Sequence, residues 1–173
     1  MHNSSGGDKM NQSQLTQKEK LLLQDLKSQE ELCIKKYSKY INEAGDEVLK
    51  QLFRQLGMNE EQHLNTINQI LSGQTPVMQS GGQAQGQQQT GQSTQFTPTS
   101  DLKSPNASQK DFDLVQDLLS TEKYVSATYN TAIFEFNNTQ IRKTLNHIQK
   151  EEQEHGELLY NYLKQNNAYP LQA

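Results

Sequence analysis

Four glutamates and two histidines carry the spacing that could do chemistry in this chain: Glu30, Glu60-x-x-His63, Glu122 and Glu152-x-x-His155. Each Glu falls in the middle of a stripe of apolar residues recurring at three- and four-residue steps, the period of one helix face. The stripes read Leu22, Leu26, Glu30, Cys33, Tyr37, Ile41, Ala44; then Leu49, Phe53, Leu56, Glu60, His63, Ile67, Ile70. The second pair reads Val115, Leu118, Glu122, Val125, Tyr129, Ile133, Phe136; then Ile141, Leu145, Ile148, Glu152, His155, Leu159, Tyr162. A lone Glu-x-x-His is a weak signal, because Glu is common here. Two of them in register with two further inward Glu form a strong one.

Their heights agree as well. Glu30 lies 15 residues before Gly45 and Glu60 lies 15 after it. At ~1.5 Å rise per residue, an antiparallel hairpin brings the two level. Glu122 and Glu152 straddle Asn137 in the same way. Four carboxylates and two imidazoles are therefore expected in one core layer. Buried bare, they would repel one another and lose their hydration, which should raise the carboxyl pKa values. Two divalent cations cancel the formal charge of four carboxylates. One Glu from each of two helices with Glu-x-x-His from each of the other two is the ligand pattern of di-iron and di-manganese carboxylate bundles. The expected cofactors are thus two divalent metal ions held by Glu30, Glu60, His63, Glu122, Glu152 and His155. The oxygen and imidazole donors suit Fe or Mn and leave Zn open.

Tyr37 and Tyr129 each follow a ligand Glu by seven residues, two turns along the same face. They are the candidate catalytic residues, able to donate a hydrogen bond or an electron near a metal pair. The other reading is a core aromatic with a polar tip. Glu43 and Glu135 sit near turns and have no catalytic role. Glu61, Glu151, Glu154 and Glu157 belong to solvated faces, from which any of them could support a ligand. His2 and His147 read as surface residues.

The elements that position these residues are four helices. Thr16-Gln17-Lys18-Glu19 is a capping-box pattern and opens a helix running to Ala44. Gly45 stops it, and Asp46 caps a second helix from Glu47 to about Ser72, closed by Gly73. Gly57 inside that helix costs about 1 kcal/mol relative to Ala. Asp111 opens a third helix to about Phe136. Asn137-Asn138 turns the chain, since Asn tolerates the left-handed conformation. A fourth helix runs from about Thr139 to Gln165, with Pro170 beyond it.

The halves repeat one another. A shift of 92 residues aligns them without a gap: Leu22 with Leu114, Gln24-Asp25-Leu26 with Gln116-Asp117-Leu118, Tyr37 with Tyr129, Glu43 with Glu135, and His63 with His155. The turns align too, Gly45-Asp46 with Asn137-Asn138. The organisation read from this is a tail (1–14), a first hairpin (15–72), a linker (73–110), a second hairpin (111–166) and a C-terminal tail (167–173), with both hairpins in one bundle. The linker contains the run from Gly81 to Gln89, rich in Gln and Gly. It cannot bury enough apolar area to offset its ordering entropy and is expected to be a flexible tether, with only Val77, Met78 and Phe96 able to pack.

Composition supports this division. Hydrophobic residues are only 32% of the chain because the middle dilutes two amphipathic halves. The net charge of −4, with both signs interspersed, leaves no basic footprint for nucleic acid. The single cysteine, Cys33, rules out an intramolecular disulfide framework and also a rubredoxin-type cysteine site. No apolar run is long enough for a membrane span. Met1–Asp8 lacks an apolar signal region, so a cell interior, or a structure assembled inside one, is expected.

The stretch Thr121-Glu122-Lys123-Tyr124-Val125-Ser126-Ala127-Thr128-Tyr129-Asn130-Thr131-Ala132, with Glu151-Glu152-Gln153-Glu154-His155 and Ala168-Tyr169-Pro170, resembles the coat F family. The resemblance is closest over Asp111–Pro170 and looser over Leu15–Leu71; the linker does not share it. It implies a spore coat protein of an endospore-forming bacterium, in the spore coat or the cytoplasm. It also implies a ferritin-like fold, in agreement with the all-α four-helix bundle of two repeated hairpins joined by a long flexible linker that the residues predict. Partners would be other spore coat proteins or further copies of the chain. The Glu-x6-Tyr and Glu-x-x-His spacings also look like ferritins and rubrerythrins. Both Glu–Glu separations, 30 residues, are shorter than in ferritins and imply a smaller bundle. Coat F membership alone does not imply catalysis. The full ligand set leaves open a soluble di-metal oxidoreductase, manganese-catalase-, ferroxidase- or rubrerythrin-like, acting on a small-molecule oxidant (peroxide or O2). A structural bundle without metal is the third reading.

Overall fold

The four amphipathic stripes form four helices: α1 (Gln17–Glu43), α2 (Glu47–Leu71), α3 (Gln109–Glu135) and α4 (Thr139–Gln165). The computed structural model describes residues 14–77 and 95–169. The tail 1–13, the Gly81–Gln89 run, Met78, His2 and Pro170 lie outside the described residues. Among those described there is no strand, and no helix is long and apolar enough to cross a membrane.

Helix starts follow local chemistry. Thr16 caps α1 in a full capping box with Glu19, and Ser108 caps α3 in another with Asp111. The α3 box begins before the expected opener, so Asp111 is its N3 member and not its cap. Asp46 caps α2 through Val48 N, and Asn138 caps α4 by accepting from Gln140 N and Ile141 N. Neither tight turn uses a left-handed residue: positive φ occurs only at Gly73 and Asn167 among the described residues. Both α1 and α3 end instead on an extended residue, Ala44 and Phe136. The left-handed conformation expected for Asn137 is therefore not needed.

What the turns use is the opposite hairpin. The buried Glu19 carboxylate accepts from its own cap and also from Asn137 N at 2.8 Å. The buried Asp111 carboxylate accepts from Ser108 and from Gly45 N at 2.7 Å. Residues 19 and 111, and residues 45 and 137, are each one repeat offset of 92 apart. Each hairpin thus clamps the other's turn by the same device, a buried carboxylate that takes a backbone donor of the turn. These contacts set α1 antiparallel to α3. Asp46 at the start of α2 accepts from Tyr162 near the end of α4 at 2.7 Å, setting that pair antiparallel as well.

Packing is closest within hairpins, α1 on α2 and α3 on α4, with α1 also against α3. The core follows the stripes, with small changes. Leu23 is buried where Leu22 is only half-buried, and Ile41 and Ile133 are half-buried. Gly57 has a packing reason: a Cβ there would come within 3.2 Å of Tyr37 Cβ, so its absence lets α2 approach α1 at that tyrosine.

The connection from α2 to α3 must return the length of the bundle, the single long crossover that ferritin-like bundles also use. Its described parts are docked on α2 and α4. Pro76 O accepts from the buried Thr144. The Gln55 side chain bonds both Phe96 N and Phe96 O. Gln165 and Asn166 hold Ser100, Leu102 and Ser104. Phe96 and Leu102 are buried in the core, whereas Val77 is 70% exposed. Residues 95–108 therefore pack on the bundle and are not a loose tether. Leu102 was the anchor that linker composition concealed. Leu102→Ala is expected to lower unfolding stability by about 2 kcal/mol, the low end for a buried Leu because the segment can detach locally. Chemical denaturation checks this; no shift in midpoint would return the segment to a passive tether.

Candidate metal centre

The six expected side chains meet at one level of the core, each at most 2% exposed. Helix periodicity supplies the face and the hairpin turns supply the level. They form two overlapping groups: Glu30, Glu60, His63 and Glu152, and Glu60, Glu122, Glu152 and His155. Within each group the donor atoms lie within 4.8 Å of one another. Donors across a cation with bonds of about 2.1 Å are at most about 4.2 Å apart, so the widest pair would have to close by about half an ångström. Glu60 and Glu152 are common to both groups; Glu30 and Glu122 each belong to one.

Both imidazoles turn Nδ1 inward. His63 Nδ1 lies 3.0 Å from Glu152, 3.4 Å from Glu60 and 3.8 Å from Glu30. His155 Nδ1 lies 2.8 Å from Glu60, 3.5 Å from Glu152 and 3.8 Å from Glu122. The rings stack with centroids 5.6 Å apart. These approaches are close but misdirected. Glu30 Oε2, Glu122 Oε2, both carboxylate oxygens of Glu60 and Glu152, and both Nδ1 atoms have no hydrogen-bond partner. Each such orphan costs roughly 1–3 kcal/mol. Together they rival the ~5–15 kcal/mol of net stability that a whole domain retains. The centre therefore calls for a counter-charge, for protons or for both, and its donor set suits a divalent cation.

The titration behaviour is divided between terminal and shared carboxylates. Burial, then the charges of Glu152 and Glu60, push Glu30 well above the usual range. Burial pushes Glu122 up to about 7. Burial also presses on Glu60 and Glu152, but the two imidazoles beside them hold both below their ordinary value. The expectation that all four carboxyls are raised is corrected on this point. His63 and His155 are raised: burial opposes their charge, and the surrounding carboxylates outweigh it.

The tyrosines cross between hairpins. Tyr37 of α1 donates to Glu122 Oε1 of α3, and Tyr129 of α3 donates to Glu30 Oε1 of α1. Both are fully buried, and burial with the adjacent carboxylate charge keeps each phenol protonated. Seven-residue spacing on one helix did not reveal this crossing. The tyrosines orient the terminal carboxylates and leave the outer oxygen of each, Oε2, facing the centre.

Glu151, read from the sequence as a solvated-face residue able to support a ligand, and Asn59, which the sequence did not single out, stand behind the two histidines. Glu151 Oε2 lies 2.8 Å from His63 Nε2, and His147 Nε2 lies 3.3 Å from the other Glu151 oxygen. Asn59 Nδ2 lies 3.2 Å from His155 Nε2. Adjacency to Glu60 and Glu152 was the available signal: a residue just before an inward ligand sits at the edge of the buried face.

A cleft of about 400 Å³ opens between α3 and α4 and reaches Glu122 and Glu152. Leu119, Ser126, Gly156, Tyr160 and Tyr169 are among its lining residues.

An antiparallel four-helix bundle of two clamped hairpins, with a buried carboxylate–imidazole layer at mid-height, is the class that fold and site define. Residues 110–172, the second hairpin and the segment after it, match the family model of the Coat F domain. The second hairpin is thus similar to the Coat F domain, and that similarity supports a reading of the chain as a spore coat protein. No curated protein and no solved structure matches the chain.

Proposed function

We propose that this chain is a spore coat protein whose ferritin-like bundle holds two divalent metal ions, Fe or Mn in preference to Zn. Glu30 and His63 would serve one ion, Glu122 and His155 the other, and Glu60 and Glu152 would bridge them. The observation that carries this reading is the set of orphaned buried donor atoms, all belonging to these six side chains. Bound cations would supply Lewis-acid or redox chemistry at the centre. The protein's part is to bury the donors, hold Nδ1 inward and keep the tyrosine donors on the terminal carboxylates. Contact with other coat proteins or with further copies has apolar surface to use in the exposed Met58, Tyr124 and Phe134.

Elemental analysis of protein purified without chelator, followed by titration of the chelated protein, tests the reading. About two ions per chain is the expected result, and none under either condition would overturn it. The cleft at Glu122 and Glu152 favours a second reading beside a purely structural metal pair: oxidation chemistry on peroxide or O2. Consumption of peroxide by metal-loaded protein, lost on chelation, would separate the two.

A further inference from the structure

The two halves of the centre differ at positions where the repeat departs from itself. Behind His63 stands the Glu151 carboxylate, backed by His147. Behind His155, at the position one repeat offset of 92 away, stands the neutral Asn59. Metal bound at Nδ1 requires the proton on Nε2. Glu151 can accept that proton's hydrogen bond as a charged group, which makes the imidazole a stronger donor. Asn59 can accept it only through its amide oxygen, which needs that amide turned about and supplies no charge.

Access differs in the same sense. The cleft lies on the Glu122 side and is lined by Ser126 and Gly156. The first hairpin carries Ile34 and Leu64 at the equivalent positions, both half-buried. A Cβ on Gly156 would make only ordinary contact with Leu119, at 3.7 Å, so this glycine is not required by helix packing. The Tyr160–Tyr169 edge-to-face pair, with centroids 4.8 Å apart, borders the opening, and Lys123 is a basic residue on a lining that also carries Glu122 and Glu152.

Resting on the metal reading above, we propose that the two positions are inequivalent. The Glu30–His63 position is the tightly held one. The Glu122–His155 position is the weaker, exchangeable one, where a small anion entering by the cleft takes a coordination place.

Cobalt(II) is a suitable probe, because its visible bands report coordination and calorimetry counts the sites. Titration of chelated full-length protein should resolve two steps separated by about tenfold in affinity, the low end of supporting-shell effects. Glu151→Asn should weaken the tighter step about tenfold and merge the two, whereas Asn59→Asp should tighten the weaker step. Azide added to the two-cobalt protein should change the visible spectrum. Gly156→Leu should suppress that change at least tenfold, with Gly156→Ala as a milder variant if the first does not fold. Two equal steps in the parent protein, or equal weakening of both by Glu151→Asn, would overturn the inequivalence while leaving the metal reading in place. An azide response unaffected by either Gly156 variant would overturn the cleft as the route. No bound cobalt at all would remove the metal reading and this proposal together.

Discussion

Metal-free protein should gain stability as pH falls from 8 towards 5, and metal-loaded protein should lose it. Four groups decide the first trend. Glu30, Glu122, His63 and His155 all have folded-state values above their ordinary ones. The folded chain therefore holds protons that the unfolded chain has released. Such a contribution is complete below the unfolded value, about 4.3 for Glu and about 6.5 for His, and is lost as pH rises through the folded one. Glu60 and Glu152 have lowered values. Their contribution is complete above about 4.3 and is lost only as pH falls below that, so they are ionised in both states within the window. All four raised groups act in one direction. The imidazoles reinforce the glutamates, because the carboxylates around them favour their charged form. Each tenfold gain in proton affinity on folding is worth about 1.4 kcal/mol, so the trend amounts to a few kcal/mol. Bound metal reverses it, since its ligands must be deprotonated and acid releases it. Thermal unfolding of chelated and metal-loaded samples across this range is the measurement. Parallel profiles with no metal-dependent change in Tm would reject the buried centre.

The shared and terminal carboxylates should separate just as sharply on mutation. Glu60 and Glu152 belong to both donor groups, Glu30 and Glu122 to one each. Glu60→Ala and Glu152→Ala should each abolish binding of both ions, because each belongs to both donor groups. Glu30→Ala and Glu122→Ala should each leave about one ion per chain. Binding at a hundredfold excess over Kd adds ~2.7 kcal/mol for one site. Two such sites add ~5.4 kcal/mol, and at ~2–4 °C per kcal/mol for a chain of this size metal should raise the parent Tm by roughly 10–20 °C. The bridging variants should lose that rise entirely. Stoichiometry and Tm are read on the same samples. A Glu60→Ala protein that keeps one ion at parental affinity would show that the carboxylate does not bridge.

Much of the centre was legible because helix geometry is local. A three- and four-residue period sets which face a residue occupies, and distance from a turn sets its height. Glu30, Glu60, His63, Glu122, Glu152 and His155 were fixed by those two quantities alone, and the 92-residue repeat extended the inference from one hairpin to the other. Capping boxes, likewise local, marked the α1 start. The docked crossover escaped notice because Phe96 and Leu102 are isolated apolar residues without a period, and their burial depends on Gln55, Gln165 and Asn166 reaching from other elements.

By itself, then, the chain's pattern determined four helices, their pairing into hairpins and the six inward donors at one level. Only the tertiary structure decided which carboxylates are shared, that Tyr37 and Tyr129 serve the opposite hairpin, and that Glu19 and Asp111 clamp the opposite turns. It also decided that Glu151 and Asn59 stand behind the two histidines. The reason is geometric. Spacing along a helix sets height and face within one element, but a contact between hairpins depends on the rotation and separation of helices. Those are set by the packing of side chains that lie far apart in the chain.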